Sequence, residues 1–356
     1  MLTVHGLGII FSRGRGVPAF AAALRAGWVP PDAIDAPLAA EPISAYTIAP
    51  EVLMDKNVLR TARRADRFTK MAVLAATDAL RDAALPSPDP LRMGLVLATA
   101  FGPHATTFKF LDDVLEFGDM APSPTTFSHA VHNAAASYIA LAAGLRGPSV
   151  TLTHFSFAFH HALAVADAWL AARTCDYVLV GTSEECGGVM AAIAARKLHF
   201  ATDGRIRPFD FADAPVTVPG EGSVFLCVSN TPSTQAYGLI EACAPAPIRR
   251  QGDCDLQILD ADGMAASERS YHSLVQAGIP CAGYAPAYGA FPTGSACSAA
   301  AALLMLKRQC VFPCPVTDNP HGFQLADAAA PAPRHILSQK TDCTGQAAGL
   351  TLRAVI

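Results

Sequence analysis

Seven consecutive residues, Met93-Gly94-Leu95-Val96-Leu97-Ala98-Thr99, carry neither a charge nor a large polar side chain. A strand with one wet face alternates in polarity. An unbroken apolar run instead fits a strand buried on both faces. Similar runs at 150–153 and 177–181 are separated by stretches with helical patterning at 104–117, 133–144 and 156–173. A further helix is predicted over 63–84, where Phe68, Met71, Ala72, Ala75 and Ala79 recur at helical spacing ahead of Pro86. Apolar strands alternating with helices predict an α/β fold around a mainly parallel sheet, with helices on both faces.

The first ten residues read as a buried strand closing on Gly6 and Gly8, followed by a short helix over 18–25. Prolines and weak periodicity make 28–58 an irregular excursion. After a strand at 223–228 the pattern returns in shortened form: a strand at 256–259, helices at 265–277 and 295–307, and strands at 335–337 and 350–355. The proline-rich stretch 311–335 reads as loops. A tandem α/β repeat is therefore expected, with one half over 1–235 and a shorter one over 236–356.

The chain has 356 residues, 51% hydrophobic and 16% charged, enough apolar surface for a large core and for an obligate subunit interface. A net charge of −4 with no basic stripe argues against nucleic acid as a partner. Ten cysteines form no CxxC pair and no Cys/His cluster at zinc spacing, and Cys310 and Cys314 sit in a strand or turn context. No metal or cofactor is implied, and reduced cysteines in a cytoplasmic protein are expected. Residues 2–11 are broken by glycines and lack the basic start of a secretory leader, and no stretch has the apolar length of a membrane span.

Several separated segments resemble the β-ketoacyl synthase family in order. They are Gly6-Leu7-Gly8, Arg63-Arg64-Ala65-Asp66-Arg67-Phe68 with Ala75-Ala76, and Gly144-Leu145-Arg146-Gly147-Pro148-Ser149-Val150. The long loop Arg207-Pro208-Phe209-Asp210, Asp213 and Val218-Pro219-Gly220-Glu221-Gly222 follows. The resemblance implies a thiolase-like fold, a five-layer αβαβα sandwich of two similar halves, normally a dimer. It also places Ser156, in Thr153-His154-Phe155-Ser156-Phe157, where such enzymes keep a nucleophilic cysteine at the start of a helix. A thiol ionises near neutrality and a helix N-terminus lowers its pKa further; a serine hydroxyl needs a base within reach.

The second half departs from the family pattern. Where the first catalytic histidine belongs, the chain reads Leu259-Asp260-Ala261-Asp262-Gly263-Met264, which sets Asp262 there. Phe291, in Gly289-Ala290-Phe291-Pro292, stands at the second histidine position, the lysine expected shortly before it is missing, and Thr344-Gly345-Gln346 replaces a glycine-rich gate. Neither an aspartate nor a phenylalanine offers a neutral donor to an enolate, and an ionised Asp262 would repel one. Each lost donor or acid–base group costs about 10²-fold or more in rate. The pattern resembles chain-length factors, the synthase-like partners in type II polyketide systems, and Phe127-Ser128-His129-Ala130-Val131-His132-Asn133 is similar to synthase-like proteins of aryl-polyene pathways.

Each candidate residue has a functional and a plainer reading. Ser156 with His160 four residues on is an alternative catalytic dyad; otherwise Ser156 is a small residue tolerated where a cysteine is no longer needed. Phe155, Phe157 and Phe159 either wall an acyl tunnel or pack a dimer interface. His129, His132 and Asn133 either line a tunnel or subunit boundary or cap a helix. Cys297 at a helix start is a reactive thiol or a small packing residue, and Glu221 accepts hydrogen bonds inside the fold. The expected function is that of a catalytically degenerate subunit. It would pair with an active β-ketoacyl synthase as a heterodimer and shape the tunnel of a chain delivered by an acyl carrier protein. The alternatives are a Ser156-dependent acyltransferase, thioesterase or decarboxylase acting on carrier-protein thioesters, and a non-catalytic scaffold that binds the carrier protein.

Overall fold

The strand β2 (Met93–Thr99) is buried along its whole length and lies parallel to both its neighbours, β3 (Ser149–Thr153) and β4 (Tyr177–Glu184). The computed structural model describes residues 1–36, 41–118, 122–244, 254–265, 268–316 and 318–355. The first half is completed by β1 (Leu2–Phe11) and β5 (Gly222–Ser229), which pair antiparallel with each other, β5 also running antiparallel to β4. The second half contains β6 (Gly238–Ala244), β7 (Leu256–Leu259), β8 (Cys281–Ala282), β9 (His335–Thr341) and β10 (Ala347–Arg353).

The two halves share one plan. Strand order is β3-β2-β4-β5-β1 in the first and β8-β7-β9-β10-β6 in the second. In each, three parallel strands are followed by two antiparallel ones. The sheets join where Leu2, Thr3 and Val4 of β1 pair with 238–240 of β6.

The helices are α1 (Val17–Ala26), α2 (Arg67–Ala83), α3 (His104–Phe117), α4 (Pro124–Ala130), α5 (Ala134–Ala143), α6 (Ala158–Ala171), α7 (Gly188–Ala195), α8 (Arg269–His272) and α9 (Ser295–Arg308). α6 touches β2 and β4 of the first half and β6 and β10 of the second; α9 likewise reaches β5 as well as β7, β9 and β10. These two form the buried middle layer. α2 and α5 cover the outside of the first sheet and α8 lies outside the second, which completes the αβαβα thiolase-like layering. The approach of α2 to β1 depends on missing side chains: a Cβ on Gly8 would lie 1.8 Å from the Ala75 carbonyl oxygen.

Several boundaries differ from the sequence expectation, among them these three. α2 begins at Arg67 rather than 63, because the Asp66 carboxylate accepts from the Thr69 N–H and caps the helix there. The helix expected at 265–277 shrinks to α8, and Ala266 and Ser267 lie outside the described residues. Beyond α8 the buried Gln257 amide donates to the Leu274 carbonyl at 3.0 Å and accepts from the Gln276 N–H at 2.7 Å. That side chain takes the backbone groups a longer helix would use. Finally, β9 extends to Thr341, four residues past its expected end, and so carries Lys340 into the interior.

Candidate functional site

The C-terminal ends of the parallel strands in both halves converge on one cavity of about 440 Å³. Such strand ends, where the chain turns away from the sheet, are where α/β folds bind ligands. Ser156 enters from the turn after β3, Glu184 and Glu185 from the end of β4, Asp262 from the turn after β7, and Phe291 from the segment before α9. Lys340 reaches it from β9, while Met190 and Ile193 of α7 form an apolar wall. Ser156, Asp262 and Phe291, far apart in sequence, therefore line a single space.

Ser156 lacks the partner a nucleophile needs. Its N–H and that of Phe157 donate to His154 Nδ1, at 3.2 and 3.1 Å, and no hydrogen bond joins Ser156 to His160 among the described residues. The proposed dyad is not assembled: α6 starts at Ala158, so Ser156 sits in the preceding turn and does not share a helix face with His160. His160 is fully buried, its Nδ1 has no partner, and burial, with Lys340 adding to it, pushes the imidazole down to about 3. Such a ring is too weak a base to activate a hydroxyl at neutral pH.

Asp262 is not the isolated negative charge expected from the sequence. Its Oδ2 lies 3.1 Å from Lys340 Nζ, and Asp260 Oδ2 lies 3.0 Å from the same nitrogen. Asp262 Oδ1 accepts from the Met264 N–H at 3.1 Å, and its carbonyl accepts from Thr217 Oγ1 at 2.8 Å. Burial raises the Asp260 carboxyl, opposed by Lys340. Burial alone would lower the Lys340 ammonium, yet the two carboxylates outweigh it and hold its pKa above the usual lysine value. Glu268 completes the acidic group: it accepts from the Gly263 N–H at 2.9 Å, and burial pushes its carboxyl up to about 8.

On the first-half side, burial pushes Glu184 up to about 7 and Glu185 up to about 8, so both are substantially protonated near neutrality. Glu184 accepts from Thr99 Oγ1 at 2.9 Å and from the Ala100 N–H. Glu185 accepts from the Ala105 N–H in the first turn of α3. Glu221, fully buried, accepts from the Ile48 and Cys186 N–H groups and from Arg67.

The aromatic residues divide. Phe155 lines the cavity, is 67% exposed and packs against Phe101 with ring centroids 5.5 Å apart. Phe157 and Phe159 are buried, Phe157 stacking on His154. His129, His132 and Asn133 do not line the cavity. His129 Nε2 pairs with the Tyr138 hydroxyl at 2.8 Å, His132 packs over Gly102, and Asn133 precedes α5 without a side-chain cap bond. Cys297 is buried in α9 and burial raises its thiol well above the usual value, which makes it unreactive. Lys340 and α7 escaped the sequence reading. The available signals were a charge alternating into an otherwise buried strand, and the apolar run Val189-Met190-Ala191-Ala192-Ile193.

Among the described residues no group of three or more His, Cys, Asp or Glu is placed to hold a metal, and no helix is long and apolar enough to cross a membrane. Residues 3–232 match the N-terminal domain family of β-ketoacyl synthases. The chain belongs to the β-ketoacyl synthase family. Nodulation protein E of Rhizobium leguminosarum bv. trifolii is 26% identical over 296 residues, covering 82% of this chain and 69% of that one. Its namesake from Rhizobium meliloti is 29% identical over 160 residues, 44% and 40% of the respective chains. Among solved structures, the ishigamide ketosynthase/chain length factor superposes with a TM-score of 0.83 at 18% identity, over 100% of this chain and 99% of that one. A β-ketoacyl synthase from Burkholderia phymatum gives 0.79 at 17%, over 100% and 99%. A type II polyketide ketosynthase in complex with its acyl-carrier protein (AntDE:AntF) gives 0.77 at 16%, over 99% of both chains. At these identities the structural likeness establishes the shared fold.

Proposed function

We propose that this β-ketoacyl synthase family member is a catalytically degenerate subunit of chain-length-factor type. In this reading it pairs with an active synthase and shapes the space in which a carrier-bound acyl chain grows. The observation that carries it is the meeting of Ser156, Asp262 and Phe291 at one cavity without a nucleophile–base pair, beside a lysine engaged by two carboxylates. Among the described residues no hydrogen bond joins Ser156 to a base there, and Asp262 and Phe291 offer no neutral donor to the enolate left by decarboxylation. The two units proposed for this role divide near residue 235.

A partner surface supports the pairing. The edge strand β3 has open residues at both ends. Leu141 is exposed on α5, which touches this strand, Phe127 on α4, which packs on α5, and Leu115 and Phe117 on α3, which packs on α4; Phe155 is exposed at the cavity mouth. Large apolar side chains gathered this way mark an interaction site. Because Phe155 belongs both to that surface and to the cavity wall, a docked synthase would share the wall. Delivery by an acyl carrier protein accords with the complex formed by the AntDE neighbour, and ten free cysteines accord with the reducing cytoplasm.

The test is co-expression with an intact synthase followed by size-exclusion chromatography. A stable one-to-one complex is expected, weakened at least about tenfold by Phe155→Asp at the apolar contact. A homodimer that ignores such a partner, or malonyl-dependent elongation by the chain alone, would overturn the reading.

A further inference from the structure

Lys340 Nζ carries three N–H donors, and Asp260 and Asp262 accept two of them at 3.0 and 3.1 Å. Among the described residues no third acceptor approaches this nitrogen, although the side chain is almost wholly buried. An unmet hydrogen bond on a buried ammonium is costly, so the position calls for an acceptor supplied from outside the protein. Asp262 has spare capacity of the opposite kind. Its Oδ1 accepts from the Met264 N–H and its Oδ2 from Lys340, which leaves lone pairs free on a carboxylate at the same wall. Lys340 and Asp262 both line the cavity, so a charged donor and a charged acceptor stand side by side at one edge of an otherwise apolar space.

We propose that this cavity is a ligand site of the chain itself, selecting an apolar chain that bears a hydroxyl group. The hydroxyl oxygen accepts from Lys340 and its proton is donated to Asp262. Of an alcohol, a carbonyl, a carboxylate and a hydrocarbon, only the alcohol satisfies both partners. A plain hydrocarbon satisfies neither. A carbonyl uses Lys340 alone. A carboxylate has no proton to give Asp262 and meets its like charge, with Asp260 sharing the same lysine. The body of the ligand is provided for by Phe101, Phe155, Met190, Met264 and Phe291. The volume of about 440 Å³ lies within the range of small-molecule sites. The inference stands whether or not a synthase pairs with the chain.

The experiment is calorimetric titration of the purified full chain with decanol, decanoate and decane at pH 7.5. Decanol is expected to bind at least about tenfold more tightly than either of the others, the usual value of one charge-assisted hydrogen bond. Asp262→Asn keeps the shape and the Lys340–Asp260 contact but removes the repulsion, so the preference for decanol over decanoate should shrink about tenfold. Should that variant fail to fold, the ligand series on the unaltered protein still decides. Equal binding of decanol and decane makes the cavity purely apolar and overturns the proposal. So does tighter binding of decanoate, and so does the absence of binding, which would mean that water alone meets Lys340. Chromatography of the same preparation with a synthase separates failure here from failure of the pairing.

Discussion

The two halves of the molecule repeat one strand order with the same directions, yet they hold their outer faces differently. The first sheet is covered by α2, a capped helix of 17 residues that packs on glycines of β1. The second has the four-residue α8 and relies on side chains that reach into the backbone: Gln257 ties down 274–276, and the Tyr271 hydroxyl links the Asp260 carbonyl to the Thr341 N–H. A sheet ladder satisfies its own backbone wherever the strands lie, so strand order survives the loss of an outer helix. The groups that helix would have satisfied must then be met one by one, and buried polar side chains do so.

The largest expected effect separates the two buried ion pairs. Lys340→Met leaves Asp260 and Asp262 facing each other without a cation and should cost about 3–5 kcal/mol in urea unfolding. Arg67→Met in the first half should cost clearly less, about 2 kcal/mol. Arg67 is partly open to solvent, and Glu221 retains two backbone donors. Equal costs would mean that the second half is no more dependent on its side-chain network than the first.

Next comes the response to pH. Burial pushes the Glu185 carboxyl up to about 8, so between about pH 4.5 and 8 the folded chain holds a proton that the unfolded chain has released. Its contribution is fully favourable below that window and is lost as pH rises to about 8. Glu185→Gln should therefore flatten the fall in stability between pH 5 and 8 by on the order of 3 kcal/mol, read from urea midpoints. Glu268→Gln should do the same in the second half, since burial also pushes that carboxyl up to about 8. A pH profile unmoved by either variant would contradict the protonated state of these acids.

The smallest effect probes the substitute for the missing helix. Gln257→Leu strands the Leu274 carbonyl and the Gln276 N–H and should cost about 2 kcal/mol. Hydrogen exchange should show faster opening around 274–276 with no change in α2.

Strands such as Met93–Thr99 were legible because an apolar run buried on both faces advertises itself locally. Ser156, Asp262 and Phe291, each read against a short neighbouring motif, meet at one cavity. The helix at 265–277 was misread because its periodicity says nothing of Gln257, eight residues before the stretch begins. The Ser156–His160 pairing was misread because spacing of four matters only within a helix, and α6 begins two residues too late.

The chain's own order of residues determined its α/β class and its family, since these are written in local patterns and contiguous motifs. Only the tertiary structure decided that Lys340 engages both Asp260 and Asp262 beside a cavity, and that no base among the described residues meets Ser156. Charge pairing and proton transfer depend on distances of about 3 Å between atoms, and such distances are set by how strands and helices pack, which spacing along a chain does not encode.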